Sequence, residues 1–90
     1  MLKKWGSYKV LGKGKDWKVK LLLVNPRKST SLQTHALRKE IWFDLDTESI
    51  VLVGQGEMHK LENNTDEVKR IIEIQTGKCL ERDIKRYKES

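Results

Sequence analysis

Four side chains have the types and spacing to hold a cation. Gln33 and His35 stand two residues apart in the stretch Gln33-Thr34-His35-Ala36-Leu37-Arg38-Lys39-Glu40. On a strand that spacing puts both on one face. Glu40 follows on the next extended segment, and His59 lies further on, after the loop Gly54-Gln55-Gly56. An amide oxygen, a carboxylate and two imidazoles form a reasonable ligand set for a divalent metal, and such oxygen and nitrogen donors suit zinc, manganese, iron, cobalt or nickel alike. The chain has only two histidines, and both fall in this pattern.

The elements that must position these residues read mostly as strands. Ser7 to Leu11 is a short one, closed by the Gly12 to Asp16 turn. In Trp17 to Val24, Trp17, Val19, Leu21 and Leu23 share one face, while Lys18 and Lys20 begin the other. Asn25-Pro26-Arg27 breaks that strand, because Pro26 has no N–H for a ladder. Ser31 to His35, Glu40 to Leu45 and Ile50 to Val53 are the next extended pieces. From Val68 to Thr76 both periodicities fit, and the β-branched content favours a strand. Leu80 to Tyr87 reads as a short helix with Leu80, Ile84 and Tyr87 on one side. Short strands separated by close turn signals predict a single all-β domain over residues 1–90, an antiparallel barrel or sandwich with a C-terminal helix.

Composition bounds the function. Ninety residues with 37% hydrophobic and 36% charged content leave a thin core, so a metal or a second subunit would help the fold. The net charge of +6 invites an anionic partner. The basic residues are scattered among thirteen acids, and no nucleic-acid-binding signature is present, so a nucleic-acid role ranks below a small anionic ligand. The lone Cys79 has no internal disulfide partner and no base placed beside it by any motif. With no membrane-length apolar run and no signal-peptide core, the expected compartment is the cytoplasm. Trp5, Trp17 and Trp42 are expected in the core, and Lys3-Lys4 in a solvated loop.

Five segments in order carry a family resemblance: Trp5-Gly6-Ser7-Tyr8, Trp17-Lys18-Val19-Lys20, Ser31-Leu32-Gln33-Thr34-His35, Arg38-Lys39-Glu40-Ile41-Trp42 and His59-Lys60-Leu61-Glu62-Asn63. With the tail Gly77 to Arg86, they make nearly the whole chain resemble the cupin (jelly-roll) domain of type II mannose-6-phosphate isomerases. That domain also forms the C-terminal part of bifunctional mannose-1-phosphate guanylyltransferase/mannose-6-phosphate isomerases. The resemblance implies metal ligation by Gln33, His35, Glu40 and His59, with Gln33 in place of the commoner first histidine. It also implies phosphate contacts from Lys20 and Arg86, and Arg38 is a further candidate through its nearness to the ligands.

The chain departs from that family between Phe43 and Thr47, where such domains carry two more strands, a loss of about 20 residues. Arg27 stands at a position the motif gives to glycine, and Ile41 at one it gives to histidine. Missing strands leave unpaired edges for another subunit to cover, hence an expected homodimer. Three functions follow: a metal-dependent sugar-phosphate isomerase, a non-catalytic cupin remnant that binds a sugar phosphate or a partner enzyme, and, last, a basic nucleic-acid-binding β-domain. No residue is singled out as the general base; Glu62 is one non-ligand carboxylate that could serve.

Overall fold

The computed structural model describes residues 1–79 and 82–87. Its eight strands are β1 (Leu2–Lys3), β2 (Gly6–Lys13), β3 (Trp17–Val24), β4 (Leu32–Thr34), β5 (Arg38–Asp44), β6 (Ile50–Val53), β7 (Lys69–Gly77) and β8 (Lys85–Tyr87). Six form one antiparallel sheet in the order β1-β2-β3-β7-β5-β6, and β4 pairs with β8 in a second. The all-β expectation holds, and β3 and β6 have the bounds read from sequence.

The C-terminal helix does not form among the described residues. Part of that expectation, Leu80 and Glu81, lies outside them. Lys85–Tyr87 instead pairs with Leu32–Thr34 in the register Leu32↔Tyr87, Gln33↔Arg86, Thr34↔Lys85. A helix this short is marginal without tertiary support, whereas the open edge of β4 offers ladder hydrogen bonds. The ambiguous segment is the strand β7, which lies at the centre of the large sheet between β3 and β5.

The large sheet has unlike faces. On its inner face the row Leu22–Ile71–Asp44 is followed by Lys20–Glu73–Trp42 and then by Lys18–Gln75–Glu40–Val53. The apolar end supplies the core: Leu22, Val24, Trp42, Val53, Leu61 and Ile71, with Trp5 and Tyr8 packed against it. The polar end faces β4 and β8. Trp17 is not a core aromatic. It is 44% exposed and lies over the β2–β3 turn, where a Cβ on Gly14 would collide with its indole.

Two turns explain how the second sheet is set over the first. Arg27 adopts φ 60° in the left-handed region, as befits a position where the family has glycine. Its guanidinium meets Asp66 at 3.0 Å. Beneath it Asn63 is buried, its amide donating to the carbonyls of Val24, Asn25 and Glu67 while its oxygen accepts from the backbone N–H and hydroxyl of Thr65. Asn63→Ala leaves three carbonyls without that donor, so a loss of about 2 kcal/mol is expected; urea unfolding checks it, and a loss below about 0.5 kcal/mol would refute this role.

Candidate metal centre

The three titratable members of the predicted ligand set converge. His35, Glu40 and His59 each present a donor atom, and those atoms lie within 4.8 Å of one another. Glu40 comes from β5, on the inner face. His35 follows the end of β4, and His59 is tied to β4 by reciprocal backbone bonds with Gln33, 2.8 and 2.9 Å. The sheet pairing therefore fixes the spacing between the two histidines.

Backbone carbonyls fix both imidazole tautomers. Only a protonated ring nitrogen can donate to a carbonyl. His35 Nδ1 lies 2.8 Å from the Asp83 carbonyl, and His59 Nδ1 lies 3.0 Å from the Glu57 carbonyl. Each ring thereby leaves Nε2 as its lone-pair donor, and both Nε2 atoms face Glu40, at 3.3 Å from Oε2 and 3.8 Å from Oε1. Orientation of ligand histidines by carbonyls in this way is a recurring feature of metal sites. Asp83 also holds the loop before β5 through its carboxylate, which accepts from the N–H groups of Ala36 and Leu37.

Glu40 is enclosed. Oε1 accepts from the Trp42 indole at 2.9 Å, and Oε2 accepts from Arg38 Nε and Nη2 at 3.0 and 2.9 Å. Arg38 Nη2 also donates to His35 Nε2 at 3.1 Å. Burial pushes the Glu40 carboxyl up, but Arg38, the Trp42 hydrogen bond and the two histidines outweigh it and hold it below the ordinary carboxylate value. Burial lowers His35, with Arg38 and His59 acting in the same direction against the Asp83 bond and Glu40. The neutral ring is the ligand form, and an ionised carboxylate between two unprotonated imidazole nitrogens fits a divalent ion in donor type.

A cavity of about 650 Å³ opens beside the centre, between the two sheets. Gln33, Glu40, His59, Lys20, Arg38 and Arg86 all line it, and His35 lies behind them in contact with Glu40 and Arg38. Gln33 turns its amide nitrogen to Ser31 Oγ, which also accepts from Arg86. Lys20 is buried with its ammonium 4.5 Å from the centre of the Tyr8 ring, a cation–π distance. Lys3, at the end of β1, and Lys4, in the turn after it, are exposed as expected and also border the cavity.

Glu62 is not brought in. It lies away from the cavity lining, with its carboxylate 3.4 Å from Lys60. The non-ligand carboxylate in the cavity wall is Glu73, which sequence reading passed over. Burial, and then the charge of Glu40, raise it to about 7. The available signal was the alternation Glu73-Ile74-Gln75 in β7. Three isoleucines in that strand drew attention away from the acid between Ile72 and Ile74.

Comparison with known proteins agrees with this geometry. The family model described as mannose-6-phosphate isomerase C-terminal matches residues 1–89. The chain belongs to this family. It is 32% identical to the alginate biosynthesis protein AlgA of Pseudomonas putida over 94% of its own length and 21% of that protein. It is 28% identical to a mannose-1-phosphate guanylyltransferase of Sinorhizobium fredii over 92% of its length and 19% of that protein. The chain thus spans about a fifth of these relatives.

Among solved structures, a Klebsiella pneumoniae protein with a double-stranded β-helix domain superposes with a TM-score of 0.78 at 13% identity, covering 92% of this chain and 84% of that one. The polyketide cyclase RemF of Streptomyces resistomycificus follows at 0.70 and 14%, covering 92% and 71%. A sugar phosphate isomerase of the cupin superfamily from Silicibacter pomeroyi matches at 0.55 and 16%, covering 68% and 50%. At such identities these likenesses establish the cupin fold alone. In this chain the β5–β6 connection is confined to residues 45–49, where the family resemblance predicts two further strands.

Proposed function

We propose that this domain binds a divalent metal through His35, Glu40 and His59, with Gln33 as fourth ligand, and interconverts the aldose and ketose forms of a hexose phosphate. The observation that carries the reading is the pair of carbonyl-fixed imidazoles whose Nε2 atoms converge on one buried carboxylate. A divalent ion in such a site supplies Lewis acidity for polarising a carbonyl. Lys20 and Arg86, with Lys3 and Lys4 at the cavity border, supply positive charge for a phosphate. Glu73 is the carboxylate suited to accept and return a proton, because a base near neutrality serves both directions of a transfer. It lines the same cavity as the ligand set.

A second reading is favoured by Arg38. Its guanidinium engages the lone pairs of Glu40 and His35 that a metal would use. A domain whose own arginine fills that position would be a remnant that holds a sugar phosphate or supports a partner enzyme such as a nucleotidyltransferase.

One experiment separates the two. Untagged protein is assayed for bound metal, and then for conversion of mannose 6-phosphate to fructose 6-phosphate with manganese, zinc or cobalt supplied. The isomerase reading expects about one metal per chain, lost in His59→Ala, and turnover that falls at least about a hundredfold in Glu73→Gln. Metal binding with background turnover favours the remnant. No metal in the wild type, together with no change on His59→Ala, removes the ligand assignment.

A further inference from the structure

We propose that Asp83 is a positioning residue of the metal centre: its carboxylate clamps the turn after His35 and so holds its own carbonyl where that carbonyl sets the imidazole. The inference deepens the metal reading above and rests on it for its functional consequence. His35 is 3% exposed, and its Nε2 lies 3.3 Å from Glu40 Oε2. A neutral imidazole beside an ionised carboxylate has a favourable alternative. With the proton on Nε2 it donates to Glu40, and the lone pair a cation needs then sits on Nδ1, facing away. Two partners oppose that tautomer. Arg38 Nη2 donates to Nε2 at 3.1 Å, and Nδ1 donates to the Asp83 carbonyl at 2.8 Å. A metal on Nε2 takes the lone pair that Arg38 uses, so of these two partners only the Asp83 carbonyl can hold the ring both before and after uptake.

That carbonyl is not fixed by a ladder. β8 begins at Lys85, opposite Thr34, two residues beyond Asp83. The side chain fixes it instead. Oδ1 accepts from the Ala36 N–H at 3.1 Å and Oδ2 from the Leu37 N–H at 2.8 Å. Bonds to an ionised acceptor are the stronger class. The same turn is held from its other side by Lys78, whose N–H donates to the Leu37 carbonyl at 2.9 Å. His59 is oriented differently. Its Nδ1 meets the carbonyl of Glu57, two residues earlier in its own loop, and the Glu57 carboxylate accepts from the Gly54 N–H. One histidine is therefore set locally and the other by a segment from the far end of the chain. That segment also carries Ile84 and Arg86 into the cavity wall.

Nitrogen–proton spectra of the histidine rings, recorded on the metal-free full chain at pH 8, test this. The wild type should show a slowly exchanging Nδ1 proton on each ring. Asp83→Ala should lose the one on His35 and keep the one on His59, which also reports an intact fold. Asp83→Asn keeps one acceptor oxygen and should retain the His35 proton with faster exchange. Tyr87→Phe removes the hydroxyl contact with Thr34 and loosens β8 without touching Asp83, so it should leave both protons in place. Zinc titration of the same proteins should show a loss of affinity of about tenfold in Asp83→Ala and none in Tyr87→Phe. A His35 proton that survives Asp83→Ala overturns the proposal. So does one lost equally in Tyr87→Phe, since any loosening of β8 would then suffice, and so does loss at both rings. A wild type that takes up no zinc, yet loses only the His35 proton on Asp83→Ala, upholds the positioning and defeats the metal reading.

Discussion

Glu40→Ala is expected to cost the fold about 3–5 kcal/mol, the range for removing one partner of a buried ion pair. Arg38 is 6% exposed and makes its paired hydrogen bonds to this carboxylate, and the Trp42 indole donates to the other oxygen. Alanine leaves a buried guanidinium and a buried indole N–H without their acceptors. The loss is then mostly the cost of an uncompensated charge, which a double-mutant cycle can show. Arg38→Met in the Glu40→Ala background should recover part of the stability, whereas Arg38→Met alone should destabilise. Urea unfolding of the four proteins without added metal gives the coupling energy. A Glu40→Ala loss below about 1 kcal/mol would mean that water or another group replaces the carboxylate, and the enclosed centre described above would be wrong. The same variant should take up no metal.

The ligand set was legible because strand spacing is a strong constraint. Gln33-x-His35 had to share a face, and the chain offered no other histidine besides His59. The faces of the sheet were harder to read. In β3 the alternation separates Val19, Leu21 and Leu23 from Lys18 and Lys20, yet hydrophobicity alone would turn the aliphatic side inward. The structure buries Lys20, Leu22 and Val24 instead, because the inner face carries the site. The same inversion hid Glu73 and Gln75, which occupy inward positions of a strand whose outward positions are isoleucines. Lys85–Tyr87 was misread for a different reason. Its partner β4 is more than fifty residues away in sequence, and a three-residue edge strand leaves no periodicity to detect. The left-handed turn at Arg27 could be anticipated only through the glycine at the matching family position.

Glu73→Gln is expected to stabilise the metal-free protein at pH 8 by about 3 kcal/mol and to leave it nearly unchanged at pH 4. Folding raises this carboxyl from its ordinary 4.5 to about 7, chiefly by burial. Between those values the native state holds a proton that the unfolded chain has released, so stability falls as pH rises. Its contribution is fully present below pH 4.5 and is lost once pH has passed through about 7. At 1.36 kcal/mol per unit, the interval amounts to about 3 kcal/mol. Glu40 runs the other way: its lowered value adds stability above the ordinary carboxylate range, lost as pH falls below it. His35, also lowered, adds stability above 6.5 that is lost as pH falls through its folded value.

The difference between wild type and Glu73→Gln reports Glu73 together with its repulsion from Glu40, while the contribution of His35 is common to both. The glutamine keeps an oxygen to accept from the Gln75 amide, so the existing bond survives. Paired urea curves at pH 4, 6 and 8 should show a gap that opens between the first and the last. A constant gap, or one that opens toward acid, would show that Glu73 is ionised in the fold throughout. If the gap opens as expected while isomerase turnover disappears, the domain carries a charge that costs stability at the point where the proposed proton transfer needs it.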